Sequence, residues 1–223
     1  MNTCILYEFS NQDISESILY ETNNMTYLEA LIETLRKCNF KEIYINTQCK
    51  YSKQIAKELS LKILDFKPKN LSELMSLSAD SILSKYFFFI KTTFPFISKK
   101  TINKYLKEID LKLFDSGFSA TSSKELPIWK NNEPLNFSIN YRDTFNEEDI
   151  FVENGAFYLR TRDSIILEKS IYSGSIKPLE IPFEESINFT SNKIYNQVIN
   201  NKSEKRNVDK DYYKILNNKT TWL

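Results

Sequence analysis

Hydrophobic positions alternate between two spacings along the first half of the chain. Residues 4–9 form a short apolar run suited to a buried strand. Tyr27, Leu28, Leu31, Ile32 and Leu35 then recur at helical spacing. Residues 42–47 are β-branched and aromatic, as strands favour, and residues 52–59 put Ile55, Ala56 and Leu59 on one helical face. Leu71, Leu74, Met75, Ser78 and Ile82 mark a third helix. Residues 86–90 are continuously apolar, the pattern of a central strand covered on both faces, and a further helix is predicted over 98–109. Strands alternating with helices predict a three-layer, Rossmann-like α/β fold around a mixed, mostly parallel sheet. Such sheets bind ligands beyond the carboxyl ends of their strands, which directs attention to the loops after Phe9, Thr47 and Ile90.

After Gly117 the pattern changes to short strand-like pieces separated by turn residues, including 126–129, 131–134 and the mostly apolar stretch 150–159. This half reads as more antiparallel. From Asn201 the chain becomes charged in both signs, the composition of a solvated segment. The expected organisation is therefore one domain over 1–200 and a charged tail over 201–223. Carboxylates interspersed among the tail's basic residues argue against a nucleic-acid role.

Composition narrows the chemistry. The chain has no histidine among its 223 residues, which removes the Ser-His-Asp and Cys-His dyads, the HExxH zinc site and any imidazole base. Thirty Lys and Arg against 29 Asp and Glu leave no net field to draw the molecule to nucleic acid or an anionic membrane. Cys4, Cys38 and Cys49 lack CxxC spacing and read as core thiols of a reducing compartment. No apolar run approaches the roughly 18 residues of a membrane span, so a cytoplasmic protein is expected.

Several segments resemble one enzyme family. Glu153-Asn-Gly-Ala-Phe-Tyr158 is similar to the ENGAFY-type segment of acylneuraminate (CMP-sialic acid-type) cytidylyltransferases. Upstream, Lys91-Thr-Thr-Phe-Pro-Phe-Ile97 resembles that family's T-x-P-F element, with Thr93, Pro95 and Phe96 at the matching positions. Between them, Trp129-Lys-Asn-Asn-Glu-Pro-Leu-Asn136 resembles a W-x-x-x-x-P-L-N stretch of one branch, which leads there into dimer contacts. Residues 25–63 resemble the family's first helix, second strand and second helix. The likeness spans about residues 4–199. It implies the fold of nucleotide-diphospho-sugar transferases. It also implies a sugar-acid pocket lined by Lys91, Thr93, Arg142, Glu153, Asn154 and Gly155.

The segments that carry this family's chemistry depart together. Its triphosphate loop follows the first strand and is rich in glycine with a Ser-Lys or Ser-Arg pair. Here residues 10–20 hold neither glycine nor a basic residue, residues 1–35 contain no Lys or Arg, and Glu8, Asp13, Glu16 and Glu21 bracket the loop. Such a loop repels a nucleoside triphosphate. The family's D-I-D-T segment, whose aspartates hold magnesium, corresponds to residues 186–191, where Asn188 and Thr190 stand at the aspartate positions; Glu184 and Glu185 lie nearby. Residues 140–145 keep Arg142 and Asp143 but lack the family's glutamine.

Fold kept and chemistry released is the pattern of a pseudoenzyme. The resemblance thus implies a cytidylyltransferase-like protein of sialic acid-like, nine-carbon sugar-acid biosynthesis with degraded CTP and metal sites. One alternative is an active enzyme in which a sugar-acid hydroxyl attacks the α-phosphate of CTP with magnesium assistance, forming a CMP-sugar and pyrophosphate. Another is a structural subunit pairing with an intact homologue. The expected partners are a sugar acid, possibly CTP, and a second subunit in a homodimer or heterodimer, with neither nucleic acid nor membrane. Magnesium is expected only if the chain is active, and no catalytic residue or metal ligand is assigned.

Overall fold

The computed structural model describes residues 2–9, 21–22, 25–122, 129–131, 133–134, 137–138, 141–145 and 150–188. The loop at 10–20 and the tail at 201–223 fall outside them. β1 (Asn2–Tyr7) is followed by a small pair, β2 (Glu21–Thr22) and β3 (Met25–Thr26), and by α1 (Tyr27–Arg36). β4 (Glu42–Asn46), α2 (Lys50–Glu58), β5 (Lys62–Leu64), α3 (Leu71–Ser81), β6 (Tyr86–Lys91) and α4 (Lys99–Asp110) complete the alternating half. β7 (Ser116–Ser122) opens the second half. Two antiparallel pairs follow, β8 (Trp129–Lys130) with β9 (Glu133–Pro134) and β10 (Phe137–Ser138) with β11 (Tyr141–Phe145). Then come β12 (Phe151–Thr161), α5 (Arg162–Leu167), β13 (Ile176–Glu180) and a 3-10 turn at Phe183–Ser186.

The helices begin where side chains satisfy their free amide groups. Thr26 and Glu29 form a reciprocal capping box at α1, with Glu29 N donating to Thr26 Oγ1 at 3.2 Å. Asn70, Ser98 and Thr161 accept in the same way at the starts of α3, α4 and α5. Each cap contributes about 1 kcal/mol.

Seven strands form one sheet in the order β13-β7-β12-β6-β1-β4-β5, with β12 antiparallel to both neighbours and every other pairing parallel. The fold is thus α/β and Rossmann-like with a mixed, mostly parallel sheet, as the hydrophobic pattern predicts. From β1 the chain builds outward through β4 and β5, then returns to the other side of β1 as β6. That reversal opens a crevice between the carboxyl ends of β1 and β6, where α/β sheets bind ligands.

β6 shows why there are three layers. Phe88 and Ile90 point into a core shared with Leu28, Leu31, Ile102 and Phe157, whereas Phe87 and Phe89 join Ile5, Leu74, Met75 and Tyr158 on the other face. Alternate side chains of a strand face opposite sides, so this run must be covered twice.

Arg160 is the largest polar side chain of the interior. It is completely buried near the end of β12. Its guanidinium donates to Ser164 Oγ (3.1 Å), Ser170 O (2.8 Å), Ser173 Oγ (2.6 Å) and Ile171 O, tying down the segment between α5 and β13. Gly174 closes that segment at φ +65°, where an added Cβ would lie 2.6 Å from the Asp115 carboxylate. Among the described residues no helix is long and apolar enough to cross a membrane.

The thiols are not all core residues. Cys4 and Cys38 are buried, and burial pushes both thiols up, Cys38 to about 11; Cys49, at the start of α2, is partly exposed. One thiol per chain is therefore expected to react rapidly with a chromogenic disulfide reagent at pH 8, and three after denaturation. Three fast thiols in the native protein would contradict the packing of β1 and α1.

Candidate functional site

The carboxyl ends of β1, β4 and β6 are joined through Glu8. This carboxylate is only 5% exposed, accepts from the Thr92 hydroxyl at 3.2 Å and the Thr47 hydroxyl, and has no cation in ion-pair contact among the described residues. Thr47 Oγ1 also accepts from Cys49 N at 2.9 Å. Backbone bonds from Glu8 N to Asn46 O (3.3 Å) and from Thr92 N to Tyr7 O (3.1 Å) fix the three strand ends relative to one another. The floor of the crevice thus carries a buried negative charge held by hydroxyls.

Lys91 and Thr93 flank that floor. Lys91 ends β6 in register with Tyr7 of β1. Its ammonium is half-buried, burial lowers its pKa below the usual lysine value, and it has no carboxylate partner among the described residues. Thr93 is wholly buried, and its hydroxyl has no hydrogen-bond partner among the described residues. Leaving such a group unpaired costs about 1–3 kcal/mol, so it marks a place where a ligand or water belongs.

β12 brings in the third component. Phe157 pairs with Ile90, so the antiparallel strand carries residues 153–155 beyond the carboxyl end of β6. Opposite β7 the register jumps between the Glu153–Ala120 and Tyr158–Phe118 pairs, which leaves a bulge at 154–157. Ser119 holds it: its hydroxyl donates to Asn154 Oδ1 at 2.6 Å and accepts from Phe157 N at 3.0 Å. Asn154 Nδ2 is buried without a partner among the described residues. Gly155 supplies φ +73° for the bulge, with only Tyr158 Oη within 4.0 Å of an added Cβ. The glycine is needed for its backbone conformation more than for space.

Glu153 is already engaged. Tyr158 and Tyr172 each donate a phenolic hydrogen bond to its carboxylate, at 2.5 Å. Burial first, and then the hydrogen bond to Glu153, push both phenols well above the usual tyrosine value. Tyr7, beside Lys91, is also raised by burial and by the Glu153 charge. Glu153 therefore orients an aromatic wall in addition to presenting charge.

Of the residues selected from sequence, Lys91, Thr93, Glu153, Asn154 and Gly155 gather at this edge of the sheet. Arg142 lies on β11, outside the large sheet, and its side chain is outside the described residues. The sequence shows Glu8 only as part of an acidic loop and does not single out Thr47 and Thr92, which bond it, or Ser119 and Tyr172, which hold Asn154 and Glu153. Position at or just beyond predicted strand ends selects the two threonines; nothing local distinguishes Ser119 or Tyr172.

Magnesium does not fit the described side chains. Asn188 offers a neutral amide where two carboxylates would be needed, and Glu185 accepts from Ser98 N at 3.1 Å at the start of α4. Among the described residues no three Asp, Glu or Cys side chains converge.

No protein-family model and no curated protein matches the sequence. The fold, however, matches solved structures. CMP-2-keto-3-deoxy-manno-octonic acid synthetase in complex with CTP superposes with a TM-score of 0.66 at 9% identity, over 88% of this chain and 96% of that one. The 4-diphosphocytidyl-2C-methyl-D-erythritol synthase of Anaerococcus prevotii gives 0.59 at 15% identity, over 86% and 94%. HddC from Yersinia pseudotuberculosis, complexed with GMP-PN, gives 0.56 at 11%, over 88% and 96%. The chain has the fold of these proteins. At such identities the likeness is one of fold, and it does not single out the acylneuraminate branch. Since neighbours carry both cytidine and guanosine nucleotides, the fold does not select the base.

Proposed function

We propose that this chain is a cytidylyltransferase-like protein of surface-sugar biosynthesis that retains a sugar-acid site and has lost effective CTP and magnesium sites. The carrying observation is the charge at the crevice, where the described strand ends carry one half-buried ammonium, Lys91, and one buried carboxylate, Glu8. A single desolvated ammonium matches one carboxylate, while a triphosphate needs several cations or convergent amides. Thr93 Oγ1 and Asn154 Nδ2 supply unpaired groups for hydroxyls, and Tyr158 and Tyr172 on Glu153 form an adjacent wall. Arg142 is assigned to the same pocket on the strength of the sequence resemblance.

The active-enzyme alternative draws support from the likeness to a CTP-bound synthetase. Calorimetry and a pyrophosphate assay separate the two readings. We expect no magnesium-dependent heat with CTP and no pyrophosphate release when CTP is supplied with a panel of nine-carbon sugar acids. At least one acid should bind, and Lys91→Met should weaken it by about tenfold or more, the worth of one charge-assisted contact. Pyrophosphate release would establish the active enzyme instead. Absence of binding by any acid would remove the ligand role.

A further inference from the structure

The bulge at 154–157 sets the polarity of the candidate site through one serine. Gly155 turns the chain so that Ala156 N donates back to Asn154 Oδ1 at 3.2 Å, an Asx turn. A backbone N–H only donates, so the atom it meets is the side-chain carbonyl oxygen. Ser119 fixes the same end. Its oxygen accepts from Phe157 N at 3.0 Å, and its one hydrogen goes to Asn154 Oδ1 at 2.6 Å. Ser119 is wholly buried on β7, so solvent does not compete for its hydroxyl. Turning the Asn154 amide over would set Nδ2 against the Ala156 N–H, donor against donor. Nδ2 is therefore held as the free end, buried and without a partner among the described residues. It carries two hydrogens and accepts nothing.

We propose that Ser119 is a positioning residue of the sugar-acid site, fixing the Asn154 amide as a hydrogen-bond donor that selects an acceptor oxygen on the ligand. The proposal rests on the reading of the crevice as a sugar-acid site. A carboxylate, carbonyl or hydroxyl oxygen takes up the Nδ2 hydrogens, whereas a protonated amine cannot and would leave both groups unpaired. Buried groups left unpaired are costly, which is why sites built on hydrogen bonds discriminate strongly. The Thr93 hydroxyl, on the segment after neighbouring β6, can donate or accept. Position 154 thus has a fixed polarity where position 93 adapts. Aspartate in place of Asn154 would keep both bonds on Oδ1 and change only the free end, from donor to acceptor.

Relaxation of side-chain amide nitrogens in the ligand-free full chain tests the lock, with the Asn154 signal identified by its loss in Asn154→Asp. The amide is expected to be as rigid as the backbone, with an order parameter of about 0.85, and to fall below about 0.6 in Ser119→Ala. An amide equally rigid in both overturns the proposal, as does one that is mobile in the original chain. Binding of the nine-carbon sugar acids, N-acetylneuraminate first, tests the polarity. Asn154→Asp should melt within a few degrees of the original chain and bind the acid at least about tenfold more weakly. Val152→Asp adds the same charge two residues away, at a half-exposed position of β12, and should weaken binding by less than about threefold. Equal weakening by the two aspartate variants, or an Asn154→Asp variant that binds as the original does, overturns the donor assignment. If no acid binds at all, the sugar-acid reading fails alone, because relaxation of the free protein still upholds or overturns the lock.

Discussion

Replacing Arg160 with alanine is expected to lower stability by about 4 kcal/mol, among the largest effects of any single polar substitution. The side chain is fully buried, and its guanidinium serves four acceptors on Ser164, Ser170, Ile171 and Ser173. Hydrogen bonds from a charged donor contribute about 1.5–3 kcal/mol each, and truncation also opens a cavity. Against this stands relief of burying the charge, which already lowers the Arg160 pKa to about 10, chiefly through desolvation. The bonds outweigh the relief because no carboxylate is left uncompensated: Asp115 and Glu168 act on Arg160 only through space, and Asp115 is held by Ser175. Arg160→Lys should recover less than half of the loss, as one ammonium cannot span both carbonyls and both hydroxyls. Urea unfolding measures both variants, and at this chain length about 4 kcal/mol lowers the melting midpoint by roughly 8–16 °C. A loss under about 1 kcal/mol would mean that the segment between α5 and β13 holds itself.

Arg160 also marks where sequence reading stops. In the first half, spacing alone locates β1, α1, β4, α2, α3, β6 and α4 to within a few residues, because each element buries one regular stripe or one continuous run. β7, α5 and β13 escape it. Ser116–Ser122 reads SGFSATS, with small polar residues that are buried through contacts with β12 and β13, not through their own hydrophobicity. α5 has six residues, too few for a helical period to register, and β13 contains a proline that lies at the sheet's edge. β5, with three residues, is too short to signal.

The site divides in the same way. Lys91, Thr93, Asn154 and Gly155 are legible because they sit in recognisable segments at strand ends. In the sequence Glu8 reads as a member of a repelling loop, yet it is buried and is bonded by threonines that follow two other strands. Glu153 is similar, since the partners that fix it are Tyr158, five positions on, and Tyr172, beyond α5. These arrangements depend on strand order and on the bulge at 154–157, which a linear pattern does not encode.

That bulge leans on the core, and Phe157→Ala tests how far. Phe157 is completely buried, with its ring 4.7 Å from that of Phe88 and 6.1 Å from that of Tyr105. Truncating a buried phenylalanine costs about 3–5 kcal/mol, and the upper half is expected here. β6 and α4 on either side are too constrained to collapse into the space, for Phe88 is pinned between the helical layer and Phe40, 5.8 Å away. The local backbone should survive, because the bond holding the bulge runs from Phe157 N to Ser119 Oγ and needs no side chain at 157. Stability and binding should therefore separate. Denaturant unfolding should show the loss, Phe157→Leu should show about a third of it, and any sugar-acid affinity measured well below the melting point should stay within about threefold of the original. A variant that loses under about 1.5 kcal/mol would show that the Phe88–Phe157 contact is not central to the core. A variant that folds but no longer binds would show instead that the ring, and not the Ser119 bond, sets the position of Asn154.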